Sequence, residues 1–264
     1  MVTIRHGESE DNLKSIWAGW RDAPLSDLGK KQANALGTAF APVPITHIYA
    51  SPLLRAHTTA QYVQHHQPDP KPPLTLNPNL REQHFGIAEG NPWILHQPEG
   101  TTLEELYEQK AFPVLYGRGE KFPEAESLDD LARRAEVGIS ECVLPHLSGA
   151  ADGTESNGVH IAIASHGLCI GELIAALIRL DPEADKKKSY TGLLNTAWTR
   201  VEVEVRHGHS GSIDLKNPLS LVVRVIHVNN NDHLQAIHEV PHVDLGGASA
   251  EARAFFGGQR AQIL

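Results

Sequence analysis

Two places in this 264-residue chain share one grammar: an apolar strand pattern that stops at a histidine followed by glycine. The first is Ile4-Arg5-His6-Gly7 and the second is Ala164-Ser165-His166-Gly167. In open α/β sheets, ligands sit outside the carboxyl ends of the strands, so both histidines are expected to project into one crevice. The glycine lets the backbone turn sharply and brings amide N–H groups close to an anion. A single strand-end histidine reads as readily as a satisfied structural residue. Two in the same context favour a site.

A third strand end points the same way. Thr46-His47-Ile48-Tyr49-Ala50 reads as a buried strand, followed by Ser51-Pro52 and a helix over Leu54 to His65. This places Arg55 in the first turn of that helix, beside the positive end of its dipole, where an arginine is unfavourable unless an anion is near. Arg5 and Arg55 are each suited to bidentate bonds with phosphate oxygens.

Elsewhere, strand and helix patterns alternate. Leu28 to Phe40 has helical periodicity with Ser26 as N-cap, and Thr75-Leu76 reads as a short strand. Ser127 to Leu144 is an amphipathic helix capped by Ser127, with Asp129 and Asp130 in its first turn. Leu168 to Leu180 is strongly apolar, and Trp198 to Val205 and Leu219 to Ile226 alternate as strands joined by a Gly/Ser/His turn. The expected fold is α/β: a three-layer α/β/α sandwich, its central sheet mostly parallel, with helices on both faces. Residues 1–264 form one domain. An insert at about 86–125, with a helix around Thr102 to Lys110 and otherwise loop, forms a cap. A polar linker runs from Gly149 to Gly158, and the Gly/Ala-rich tail at about 240–264 is loosely held. Only four residues precede Arg5, which predicts a weakly anchored first strand.

Composition removes several classes. A net charge of −9 without basic runs makes a poor nucleic-acid binder, and Lys186-Lys187-Lys188 reads as a solvated triplet. No apolar run reaches the roughly 18 residues of a membrane span, and no signal peptide is evident. Cys142 and Cys169 are too few for a disulfide framework, which suits a reducing cytoplasm. No histidine group has metal-ligand spacing, so no metal or cofactor is expected. Arg206-His207-Gly208 repeats the first tripeptide, but it falls in a hairpin with no helix behind it and reads as a decoy.

The blocks together resemble the histidine phosphatase superfamily, which includes cofactor-dependent phosphoglycerate mutases and bisphosphatases. They are Arg5-His6-Gly7-Glu8 with Asn12, Ser51 to Ala60, Leu80 to Gly90, Glu126-Ser127-Leu128, Ser165-His166-Gly167 and Leu194-Asn195-Thr196, in family order. The resemblance implies that His6 is the nucleophile and that Arg5, Arg55 and His166 hold the phosphate. It implies that Glu82 protonates the leaving oxygen and later activates water, with Glu89 a structural rival. Asn12 and the backbone near Gly19 would line the phosphate or substrate side, and Gly167 would offer a backbone N–H. Ala18 stands where the family often has a hydroxyl residue.

Mutases of this family usually carry paired arginines in the insert. Here Asn91 to Ala125 has one arginine, Arg118, with Lys110 and Lys121 as further cations. Val228 to Leu234 resembles the fructose-2,6-bisphosphatase-like branch. The expectation is therefore a phosphatase of small phosphorylated molecules such as sugar phosphates, with fructose 2,6-bisphosphate one candidate. The alternatives are a phosphoglycerate mutase and a non-catalytic phospho-ligand binder. Periodicity leaves the oligomeric state open, a homodimer among the options.

Overall fold

The computed structural model describes residues 1–14, 16–151, 158–190, 192–206 and 221–238. The expected tail at 240–264, residues 152–157 of the expected linker and His207-Gly208 of the repeated tripeptide lie outside the described residues.

The elements alternate as the patterns predict: β1 (Val2–Arg5), α1 (Asp27–Phe40), β2 (His47–Ala50), α2 (Leu54–His66), β3 (Leu74–Leu76), then the insert. The insert holds β4 (Trp93–Ile94), α3 (Leu103–Glu108) and β5 (Phe112–Pro113). After it come α4 (Leu128–Cys142), α5 (Leu144–Ala151), β6 (Ile161–Ser165), α6 (Gly167–Arg179), β7 (Trp198–Val205) and β8 (Leu221–Asn230). The six-stranded sheet runs β3-β2-β6-β1-β7-β8. The β3, β2, β6 and β1 pairings are parallel, and β7 and β8 join as an antiparallel edge.

Strand β6 shows why three layers form. All five of its residues are buried, as a strand covered on both faces requires. Side chains alternate across a strand, so Ile161 and Ile163 join one apolar cluster with Leu131, Ile139, Leu173 and Leu177 of α4 and α6. Ala162 and Ala164 join the other, with Leu36, Phe40, Ala60 and Val63 of α1 and α2. Each fully buried Leu or Ile contributes about 1.5–3 kcal/mol by leaving water, and truncating Leu173 to Ala would cost about 2–5 kcal/mol.

The first strand is better held than its length suggests. It is central: Val2 to Arg5 pairs with Ala162 to Ser165 on one side, and Val2 to Ile4 pairs with Trp198 to Arg200 on the other. Two pairing partners replace the length that an edge strand would need.

Local chemistry sets the helix starts. Ser26 accepts the Gly29 amide at 3.0 Å and caps α1. Ser127 and Asp130 form a reciprocal capping box on α4, and Thr102 and Glu105 form another on α3. The helix expected over Ser127 to Leu144 is two helices that meet at Val143, whose ψ of −53° is paired with a φ of −122°. The second runs to Ala151, into what composition suggested was linker.

The insert is less loop-like than expected. β4 and β5 pair in parallel, and Phe112, Val114, Phe122 and Ala125 pack with Phe85 and Trp17 in a separate apolar cluster. Trp17 stacks on Phe85 at 4.6 Å and donates its indole N–H to the Phe112 carbonyl at 3.1 Å. Two-residue strands carry no readable period, so only their packing reveals them.

Candidate active site

The carboxyl ends of β1, β2 and β6 lie side by side, which brings His6, Ser51 and His166 together. The rings of His6 and His166 are 5.0 Å apart, and both are buried. The backbone fixes the position of His6 from three directions. Its amide donates to the Ser165 carbonyl at 3.0 Å, and its carbonyl accepts from Asn195 Nδ2 at 3.1 Å and the Thr196 amide at 3.2 Å. Gly7 must be glycine, since a Cβ there would lie 2.6 Å from the Gly29 carbonyl oxygen. Its amide donates to Thr59 Oγ1 at 3.0 Å.

The His6 ring lies with Nδ1 2.6 Å from the Gly7 carbonyl. A carbonyl only accepts, so the ring proton belongs on Nδ1 and Nε2 is left with its lone pair. Burial holds the pKa of His6 well below the ordinary histidine value, and the charges of Arg55 and Arg5 push it further down. The imidazole is neutral near pH 7, as a nucleophile requires.

His166 carries its proton on the same ring nitrogen but is turned the other way. Ser51 Oγ accepts the Leu53 amide at 3.3 Å and sits 2.8 Å from His166 Nε2. The Ser51 hydroxyl therefore donates to Nε2, which puts the ring proton on Nδ1. That Nδ1 is buried without a hydrogen-bond partner. Burial first, then Arg55, His6 and Arg5, holds His166 well below the ordinary range. A neutral donor with no protein acceptor suits an incoming anion.

Arg5 and Arg55 converge on the same place. Arg5 gives one N–H to the Leu193 carbonyl, while its buried Nε has no partner. Arg55, 2 % exposed, donates to the Arg21 and Gly19 carbonyls, both at 2.7 Å. These two carbonyls meet part of the need that sequence reasoning assigned wholly to an anion at the helix start. Burial lowers the Arg55 pKa to about 10, against the opposing charge of Glu82. Gly19 thus acts on Arg55 through its carbonyl. Its φ of +49° and the 2.1 Å between its missing Cβ and Glu89 Oε1 both exclude a side chain.

Glu82 lies where α6 begins. Its carboxylate accepts the Gln83 amide at 3.0 Å, the Cys169 amide at 3.1 Å and the Leu168 amide at 3.2 Å. It thereby satisfies orphan N–H groups in the first turn of α6. Gly167 is the first residue of that helix, so its N–H has no intrahelical acceptor. Asn12 accepts the Ser9 amide at 3.0 Å and Asn195 Nδ2 at 3.5 Å through its side-chain oxygen, which ties it to the residue that holds the His6 carbonyl. Glu89 accepts the Trp20 and Phe85 amides at 2.8 and 3.1 Å, the structural part expected of it.

Several supporting residues escaped the sequence reading. Arg134 on α4 pairs with Glu126 at 2.6 Å and donates to the carbonyls of Asn79, Arg81 and Glu82. It clamps the loop that carries Glu82, and nothing in an amphipathic helix pattern marks it. Asn229 on β8 accepts the Leu194 amide at 2.8 Å and donates to Gly192 O at 3.2 Å, which fixes the loop that presents Asn195. Arg206 of the repeated tripeptide is spent on Asp181 at 3.1 Å and Glu183 at 2.8 Å, away from the site.

Comparison with known proteins gives the family and the fold. A family model described as the histidine phosphatase superfamily, branch 1, matches residues 1–213. A Gloeobacter violaceus protein named 2,3-bisphosphoglycerate-dependent phosphoglycerate mutase 2 is 30% identical over 189 residues, covering 71% of this chain and 79% of its own. A probable phosphoglycerate mutase GpmB from Yersinia enterocolitica is 30% identical over 203 residues, covering 76% and 83%. Among solved structures, a mycobacterial glucosyl-3-phosphoglycerate phosphatase superposes with a TM-score of 0.60 at 22% identity, covering 87% of this chain and 99% of its own. A phosphoglycerate mutase from Bacillus anthracis gives 0.56 at 21%, covering 88% and 93%. The chain belongs to the histidine phosphatase superfamily. Among the described residues no helix is long and apolar enough to cross a membrane.

Proposed function

We propose that this member of the superfamily is a phosphatase that hydrolyses small phosphate monoesters through a phosphohistidine on His6. The observation that carries the reading is the neutral, buried His6 ring. Its Nδ1 is tied to Gly7, and its Nε2 is free beside the guanidiniums of Arg55 and Arg5.

In the first step, His6 Nε2 bonds to phosphorus as the ester P–O bond breaks, and Glu82 gives a proton to the departing alkoxide. In the second step, Glu82 takes a proton from water, whose oxygen attacks phosphorus and breaks the N–P bond. Inorganic phosphate leaves, and Glu82 is protonated again. Arg5, Arg55, Asn12 and the Gly167 N–H hold the equatorial oxygens. The Nδ1–H of His166 adds a donor aimed at charge that grows in the transition state. Phosphoryl transfer asks mainly for such positioning and electrostatics.

Hydrolysis is preferred to mutase chemistry because two of the three cations of the insert are engaged, which leaves only the exposed Lys110. Arg118 bonds Asp129 at 2.9 Å and Glu172 at 3.0 Å, and Lys121 bonds Asp130 at 3.3 Å. A cofactor-dependent mutase must keep a bisphosphorylated intermediate in place while it turns, which calls for free cations around its second acidic group. The mutase names of the 30%-identical relatives favour the second reading, a phosphoglycerate mutase.

Phosphate release from para-nitrophenyl phosphate, sugar phosphates and the phosphoglycerates, with His6→Ala alongside, tests the proposal. Release that depends on His6 is expected. Interconversion of 2- and 3-phosphoglycerate without release would replace the phosphatase reading with the mutase one.

A further inference from the structure

We infer that the leaving-group side of this site takes neutral, hydroxyl-bearing alcohols, such as polyol and sugar monophosphates, and disfavours substrates with a second anionic group. The inference rests on the phosphatase reading above and narrows its substrate class.

A cavity of about 40 Å³ lies between the insert and the start of α6. Two of its lining residues, Gln83 and Leu168, donate their backbone amides to the carboxylate of Glu82. The cavity therefore adjoins the group that would hand a proton to the leaving oxygen. Its walls are mostly apolar, with Trp17, Phe85, Phe122 and Leu168 offering surfaces for the C–H faces of a small alcohol.

The charged groups at the wall have the wrong sign for a carboxylate or a second phosphate. Glu120 and Glu126 line the cavity, against Lys121 alone. Lys121 is bound to Asp130, and Arg134, close by, is bound to Glu126 and three carbonyls. Among the described residues no cation pairs with Glu120, which accepts only the Gly117 amide, at 2.6 Å. An anionic leaving group in this cavity would face this carboxylate, and Lys121, the one cation of the lining, is held by Asp130. A hydroxyl group would instead find acceptors in Glu120 and in the side-chain oxygen of Gln83, whose NH₂ is bound to Glu126 O at 2.7 Å. Like charges set side by side disfavour a ligand, and Glu120, although exposed, has no cation partner among the described residues. Fructose 2,6-bisphosphate, one candidate from the sequence, is disfavoured on this ground.

Glycerol 2-phosphate and 2-phosphoglycerate test the inference, because they differ only in a hydroxymethyl against a carboxylate. The protein should release phosphate from glycerol 2-phosphate with a kcat/KM at least about tenfold higher. Glu120→Gln should narrow that ratio by about threefold. Equal rates, or preference for 2-phosphoglycerate, with both rates lost in His6→Ala, would overturn the inference and leave the phosphatase reading standing. A large ratio that Glu120→Gln does not move would overturn its electrostatic cause. Isomerisation of 2-phosphoglycerate without phosphate release would overturn both.

Discussion

The turns that follow β1 and β6 are nearly the same in sequence and opposite in wiring. Each ends a buried strand in histidine and glycine, and the two rings face each other at 5.0 Å. At the first turn, Nδ1 is bound to the carbonyl of the next residue and Nε2 is left open. At the second, Nε2 is bound to Ser51 and Nδ1 is left open. One ring thus presents a lone pair and the other presents a proton. The difference does not lie in the tripeptides. It comes from what the neighbouring strand supplies, since β2 ends beside β6 and brings Ser51 to the second ring only. A shared motif can therefore host two chemical roles when the neighbouring strand decides which ring nitrogen stays open.

The largest effect should come from removing the lone pair. His6→Ala is expected to lower phosphate release on the order of 10⁴-fold or more, with no acid-labile ³²P retained on the protein. His166→Ala removes only a donor and should cost about 10²–10³-fold while still allowing label on His6. Equal losses, with no label in either variant, would show that the two rings act as one unit. Ser51→Ala is the sharper probe, because it frees the tautomer of His166 without removing the ring. It should slow turnover about tenfold, the worth of one buried hydrogen bond. A ¹⁵N spectrum should show His166 shifting between tautomers while His6 keeps its proton on Nδ1.

Acid should expose what both rings share. Their folded-state pKa values lie well below the ordinary histidine value, mainly through burial. As pH falls below about 6.5, the unfolded chain binds protons that the folded rings refuse, so stability drops with acidification. The melting temperature should fall between pH 7 and pH 5, and less steeply in His166→Asn than in the native chain. The smallest effect should come from the third tripeptide. Arg206→Ala should leave turnover unchanged and cost no more than about 1 kcal/mol in a denaturation curve, because Asp181 keeps its bonds to the Val223 and Glu183 amides. A loss of activity there would mean that the repeat is no decoy.

Much of this was legible along the chain. Apolar runs such as Ile161 to Ala164 announce strands covered on both faces, and Ser26 and Ser127 announce helix starts, because both signals depend on near neighbours only. His6, His166, Arg5 and Arg55 were legible for the same reason, each being set at a strand or helix end by its own segment, whereas Glu82 was reached only through the family resemblance. The break at Val143, the paired two-residue strands of the insert and the clamp of Arg134 on the Glu82 loop were not. Each depends on contacts between segments far apart: Arg134 reaches residues more than fifty positions back.

By itself, then, the sequence determined which groups stand at the carboxyl edge of a parallel sheet, since strand periodicity and a following glycine decide where a side chain leaves the sheet. The tertiary structure alone decided what each group does there. The His166 nitrogen left open, the proton affinities and the availability of a cation depend on which hydroxyl, guanidinium or carboxylate packs against the group, and those partners come from other segments of the chain.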